Sequence, residues 1–121
     1  MRIYYASLTG NVRRFVSKLD ADSTDILSAP KADKPYVLIT YTFGFGDVPN
    51  EVKRWLADNH SLLRGVAVSG NRNWGERFGA AGNRIAKQFG VPLLHKFELA
   101  GTDEDVRIFK ERLAVLCDTT N

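Results

Sequence analysis

Cysteine is almost missing from this chain. The one thiol, Cys117, excludes an internal disulfide, and no Cys/His group has metal-ligand spacing. It falls near the end of a helical pattern, where packing explains it better than chemistry. Long apolar runs are missing too. None approaches the roughly 20 residues that cross a bilayer, and the N-terminus lacks a basic-then-apolar export signal. The expected compartment is the cytoplasm, with no membrane partner. Dense charge of one sign is also wanting: no basic run exceeds two residues, and the net charge is +3. Nucleic acid, which calls for a concentrated basic face, is therefore not an expected partner. The small positive excess suits an anionic cofactor or an acidic protein surface. What is present is an ordinary globular balance, 44% hydrophobic and 26% charged. Splitting 121 residues would leave two parts too small to bury their own cores, so residues 1–121 read as one domain.

The chain opens on Arg2-Ile3-Tyr4-Tyr5-Ala6, short, aromatic and β-branched as strands are. Val12, Phe15, Val16 and Leu19 then recur at i, i+3, i+4 and i+7, the stripe of a helix. Between them stand Ser7, Leu8, Thr9, Gly10 and Asn11. A strand feeding such a loop aims the helix's first N–H groups, and the positive end of its dipole, at one point. The Ser7 and Thr9 hydroxyls and the Asn11 amide add donors around it. That pattern describes a phosphate seat. A plain β-turn-α connection with Thr9 as the helix cap accounts for the same letters. The choice depends on whether other loops reach the same place.

Ser23 to Leu27 reads as a weak edge strand, and Ser28 to Lys34, with Pro30 inside and Pro35 beyond, as a loop without a helix. Tyr36 to Tyr41 is a near-continuous apolar run, the mark of a central parallel strand covered on both faces. It ends in a second glycine-rich loop, Thr42-Phe43-Gly44-Phe45-Gly46-Asp47. Pro49 stands where helices begin, and Val52, Trp55 and Leu56 carry a helical stripe to about Asn59. Gly65 to Ser69 is another buried strand. A third loop follows it, Gly70-Asn71-Arg72-Asn73-Trp74-Gly75. Phe78, Ala81, Ile85 and Phe89 are spaced for one face of the next helix, which Gly90 stops. Pro92 to Leu99 is the last strand. Thr102 to Asp105 form a capping box for a helix that turns Val106, Phe109, Leu113 and Leu116 inward. Residues 118–121 read as a frayed tail.

The order β-α-β-β-α-β-α-β-α implies an α/β fold: a doubly wound, parallel, five-stranded sheet of order 2-1-3-4-5 in three layers. Right-handed crossovers put the first helix on one face and the later helices on the other. Ligands bind where the winding reverses, outside the strand C-termini. The three loops follow strands one, three and four, which are neighbours in that order, so they are expected to share one rim. An anion seat beside two aromatic-bearing loops describes a flat, phosphorylated, aromatic ligand. Flavin mononucleotide (FMN) fits it best.

Tyr41, Phe43, Phe45 and Trp74 are the candidate stacking surfaces. Each has core packing as its plain alternative. Arg72 either faces the cofactor or pairs with a surface acid. His60 and His95 read as surface or satisfied histidines before proton carriers. Asp47 and Glu51 stand near a helix start, where pairing with the dipole is their default role.

With all three loops assembled, the sequence resembles flavodoxin-like proteins, and more closely the NrdI family, the small flavodoxin-like partners of class Ib ribonucleotide reductase. The similar segments are Ser7-Leu8-Thr9-Gly10-Asn11-Val12, Thr40-Tyr41-Thr42-Phe43-Gly44-Phe45-Gly46 and Ser69-Gly70-Asn71-Arg72-Asn73-Trp74-Gly75. Val91-Pro92 and Lys96-Phe97-Glu98-Leu99-x-Gly101-Thr102 belong to the same likeness. The resemblance implies non-covalent FMN, its phosphate on Ser7, Thr9, Gly10, Asn11 and Val12, with Leu8 beside them. It implies the ring between Thr40, Tyr41, Thr42, Phe43, Gly44, Phe45 and Gly46 on one side and Ser69, Gly70, Asn71, Asn73, Trp74 and Gly75 on the other. Gly44 is the implied backbone carbonyl partner of the reduced flavin N5–H. In this family a flavin-reducing electron donor loads the cofactor, and reduced flavin meets O2 to give superoxide or a related species. That oxidant passes to the dimanganese small subunit of the reductase, where it helps generate the tyrosyl radical. Ordinary flavodoxins tend to be strongly acidic, whereas the positive balance here favours an anionic reduced flavin and attracts a small anion. The short connection from Ile26 to Tyr36 lacks the helix of longer flavodoxins and is expected to leave part of one sheet face thinly covered. Two other functions fit the letters: an electron-transfer flavodoxin with a different acceptor, and a non-redox binding module of the same fold.

Overall fold

Side chains on a strand alternate between two faces, and in the central strands of this protein both sets are apolar. The computed structural model describes residues 1–120, with side chains through Asp118. Its elements are β1 (Arg2–Tyr5), α1 (Asn11–Ser17), β2 (Ser23–Asp25), β3 (Tyr36–Tyr41), α2 (Asn50–Asn59), β4 (Leu63–Gly70), α3 (Ala80–Phe89), β5 (Leu93–Glu98) and α4 (Asp103–Thr120). The strands form one five-stranded sheet in the order β2-β1-β3-β4-β5, and every pair is parallel. The expected topology is the observed one.

The alternation divides the core in two. Tyr4, Tyr36, Leu38, Val66 and Val68 meet Val52, Trp55 and Leu56 of α2 and Ala81 and Ile85 of α3 on one face. On the other, Ile3, Val37, Ile39, Ala67 and Phe97 meet Val12, Phe15 and Val16 of α1 and Val106, Phe109 and Leu116 of α4. The last helix thus departs from expectation by sharing α1's face. No strand follows α4, so it is not a crossover and the handedness rule does not act on it. Its seat is set by aromatic packing, with Phe15 stacked on Phe97 at 3.9 Å between ring centroids and edge-on to Phe109.

Three other differences are local. The connection after β2, expected to leave part of one sheet face thinly covered, packs down on it: Ile26 is buried, and Ala29 and Ala32 lie against the same cluster. Side chains of α2 hold it there, since Trp55 Nε1 donates to Ala29 O at 2.6 Å and Asn59 Oδ1 accepts from Ala32 N at 2.7 Å. Phe78 stands outside α3, because Gly79 at φ +63 forms the helix's N-cap and turns the chain just before Ala80. The expected frayed tail is helical through Thr120, while Asn121 lies outside the described residues.

Candidate functional site

All five strands are parallel, so the loops after β1, β3 and β4 leave from the same rim. There they line one cleft. Its walls are Ser7, Leu8, Thr9, Asn11 and Val12 from the first loop and Tyr41, Thr42 and Gly44 from the second. Ser69, Gly70, Asn71, Trp74, Arg77 and Gly79 come from the third, and Leu99 from the turn after β5. The empty space within it, counting the part open to solvent, is about 640 Å³.

At the first loop, Gly10 is the N-cap of α1 and no side chain caps the helix, so Thr9 does not serve in that role. The helix's first amides therefore have no intrahelical carbonyl to bind. Arg13 N donates to Ser7 Oγ at 3.3 Å, which folds the loop back over the helix start. Arg14 Nη2 donates to Asn11 Oδ1 at 2.9 Å and brings a guanidinium beside Gly10. The cluster is rich in donors and carries positive charge. It suits an anion.

The second loop is a small hairpin. Phe43 N donates to Asp47 O and Asp47 N to Phe43 O, both at 2.8 Å, which leaves Gly44, Phe45 and Gly46 at the tip. Gly44 at φ +54 and Gly46 at φ +109 occupy backbone regions that side chains rarely enter, so the tip requires glycine. Thr42 Oγ1 donates to Ser69 O at 3.1 Å and ties this loop to the third. Tyr41 donates to the Glu51 carboxylate of α2. Burial, and then that bond, hold the phenol well above its usual pKa, so it faces the cleft as a neutral group.

The third loop opens with an Asx turn, Asn71 Oδ1 accepting from Asn73 N at 2.9 Å, and continues as 3₁₀ turns over Arg72–Arg77 that break at Gly75. Where it starts the backbones nearly touch: a Cβ on Gly70 would lie 2.7 Å from Gly79 N. Trp74 is 47% exposed and Phe45 61%, so neither serves the core. They meet edge-on at 5.1 Å, and Arg77 stands 5.9 Å from the Phe45 ring. Exposed aromatic rings at a cleft rim point to a ligand surface.

The other candidate residues are placed as follows. Thr40 is wholly buried within β3 with its hydroxyl on Tyr41 O. Gly10, Gly46, Asn73, Gly75 and the exposed Phe43 and Phe45 shape or border the loops without lining the cleft. Arg72 takes the surface-acid option, 3.9 Å from Glu98. Asp47 binds Arg84 at 2.6 Å, His60 stacks on Phe89, and His95 binds Asp105 at 2.7 Å. Sequence reasoning missed Arg77, Gly79 and Leu99. Leu99 had a signal of a kind, being a large apolar residue just past a strand end. Its φ of +54 and the bonds Leu99 N to Gly70 O and Ser69 Oγ to Leu99 O hold it against the third loop.

Comparisons with known proteins bear on the family and the fold. A family model described as NrdI flavodoxin-like matches residues 3–111. A solved short-chain flavodoxin, associated with a PDU bacterial microcompartment, superposes with a TM-score of 0.75 at 20% identity. The match covers 99% of this chain and 97% of that one, and it establishes the fold.

Proposed function

Because this chain belongs to the NrdI flavodoxin-like family, we propose that it supplies an oxidant for assembling the tyrosyl radical in the dimanganese small subunit of class Ib ribonucleotide reductase. Its cofactor is FMN. The residues present suit that group: hydroxyl and amide donors from the first loop on one side of the cleft, open glycine backbone, the exposed Trp74 and Arg77 on the other. When bound, FMN supplies the electrons that turn O2 into superoxide or a related reduced oxygen species. The reaction is placed in the cytoplasm, where a separate electron donor reduces the cofactor.

In this reading Ser7, Thr9, Asn11 and the first amides of α1 bind the phosphate. Tyr41 and Trp74 flank the ring, each adding about 1 kcal/mol beyond burial where stacking is well offset. Gly44 presents its main-chain carbonyl to the flavin N5–H, and with no side chain its peptide turns at little cost. Thr42 keeps that hairpin in register with the third loop through Ser69.

One observation carries the reading: the cleft lining contains a single charged side chain, Arg77, and no carboxylate. A positive, acid-free wall favours an anionic reduced cofactor and raises the local concentration of a small anion. A flavodoxin built only for electron transfer has no need of the second effect. The test is stopped-flow air oxidation of the reduced holoprotein with and without the dimanganese subunit, followed by spin quantitation of the tyrosyl radical. Radical formed only in the mixture is the expected result; no gain over the subunit in air alone rejects the proposal.

A further inference from the structure

The segment Lys96-Phe97-Glu98-Leu99 stands out in the sequence, yet only Leu99 lines the cleft. Phe97 is spent in the core against Phe15. Lys96 and Glu98 point to the opposite face, beside Val68 and Gly70 of β4, and both reach the third loop. Lys96 Nζ donates to Phe78 O at 2.9 Å. Its stem passes under Gly79, where an added Cβ would lie 3.0 Å from the lysine Cδ. Glu98 Oε2 accepts from Arg72 N at 3.1 Å. Arg72 closes the ring of contacts by laying its guanidinium 4.6 Å from the centroid of Phe78.

We propose that Lys96 and Glu98 are positioning residues that hold the two ends of the 72–78 segment, and so set Asn71, Trp74 and Gly79 against the cofactor. The segment has little internal order to do this for itself. Its 3₁₀ turns break at Gly75, φ +56 and ψ −119. Both anchors grip backbone groups, which are obligatory hydrogen-bonding partners. The side-chain ion pair between Arg72 and Glu98, 3.9 Å long and exposed, contributes little beside them. Burial lowers the Lys96 pKa, which marks a partly desolvated ammonium held at a carbonyl and not a free surface lysine. This role takes FMN to occupy the cleft and is independent of the oxidant or its recipient.

The test titrates FMN into the protein carrying Lys96→Met, Lys96→Arg, Glu98→Ala, Glu98→Gln or Trp74→Ala. Exchange of the Arg72 amide is followed in parallel, and melting of the FMN-free proteins checks the fold. Stranding a backbone partner in Lys96→Met or Glu98→Ala is expected to weaken FMN binding about tenfold. Lys96→Arg retains the donor and Glu98→Gln the acceptor, so both are expected to stay within about threefold of the parent. Arg72 amide exchange is expected to accelerate in Glu98→Ala and not in Glu98→Gln. Two results overturn the proposal: unchanged affinity in Lys96→Met and Glu98→Ala while Trp74→Ala is weakened, or equal loss in the conservative and disruptive variants. If Trp74→Ala also binds FMN unchanged, the cleft assignment itself fails.

Discussion

At the scale of single residues, the site depends on backbone approach as much as on side chains. Gly70 is the sharpest case, since any side chain there meets Gly79 N at 2.7 Å, and a backbone atom cannot swing aside. Gly70→Ala is expected to push the third loop off the strand, lower the melting temperature and weaken FMN binding; a variant matching the parent in both measurements contradicts the contact. Trp74 makes the opposite kind of contribution. Nearly half of it is exposed, so Trp74→Ala should leave the melting temperature of the FMN-free protein within about 1 °C, because substitutions away from the core cost little. FMN affinity should fall about tenfold for a lost stacking contribution of about 1 kcal/mol plus burial. Equal losses of stability and affinity would instead make Trp74 a core residue.

At the scale of elements, β5 and α4 are coupled through one polar cluster. Thr102 Oγ1 accepts from Asp105 N at 3.2 Å and Asp105 Oδ2 accepts from Thr102 N at 2.8 Å, the reciprocal bonds of a capping box. The second Asp105 oxygen binds His95 Nε2 at 2.7 Å. Burial alone would raise the Asp105 pKa, but the bonds from His95 and Thr102 outweigh it and the net shift is downward. A carboxylate depressed in the folded state adds stability that is present above its unfolded pKa and lost as pH falls through the folded one. Asp105→Asn should therefore cost about 1–2 kcal/mol at neutral pH, with a difference from the parent that shrinks as pH drops below about 4. Denaturant unfolding at neutral and acid pH measures it; a difference that grows in acid would refute the assignment.

The same elements show what was legible in the sequence. Hydrophobic period located most of the strands and helices, because Tyr36–Tyr41 and the Val12-Phe15-Val16-Leu19 stripe are strong patterns, and connection order then dictated the sheet. The capping box was readable because its partners lie three residues apart. The seat of α4 was not, since it follows from Phe15, Phe97 and Phe109 meeting across 94 residues of chain. Phe78 fits a helical spacing and misled for that reason: only the left-handed turn at Gly79 shows that the helix starts after it. Of the cleft, the donor and aromatic residues were readable from composition at strand ends. Arg77 and Gly79 were not, because their places depend on how the third loop folds back over Lys96 and Glu98, and Leu99 was marked only by its position just past a strand end.

At the scale of the whole molecule, one ligand would bridge loops from three neighbouring strands, so binding and global stability should be linked. A ligand that binds only the folded state adds about 2.7 kcal/mol at one hundred times its dissociation constant. For a chain of this size, that predicts a rise in melting temperature of roughly 10 °C. Riboflavin at the same concentration should give less, because it lacks the phosphate that the first loop would hold. An equal rise with both compounds would remove the phosphate seat.

The claim beneath all of this is that three loops on one rim hold a single FMN, and a fluorescence titration tests it most directly. Thr9→Ala, Gly44→Val and Trp74→Ala each alter one loop and are titrated against the parent protein. The account predicts one FMN per parent chain and a weaker dissociation constant in every variant. Full affinity retained after any one of the three changes would contradict it.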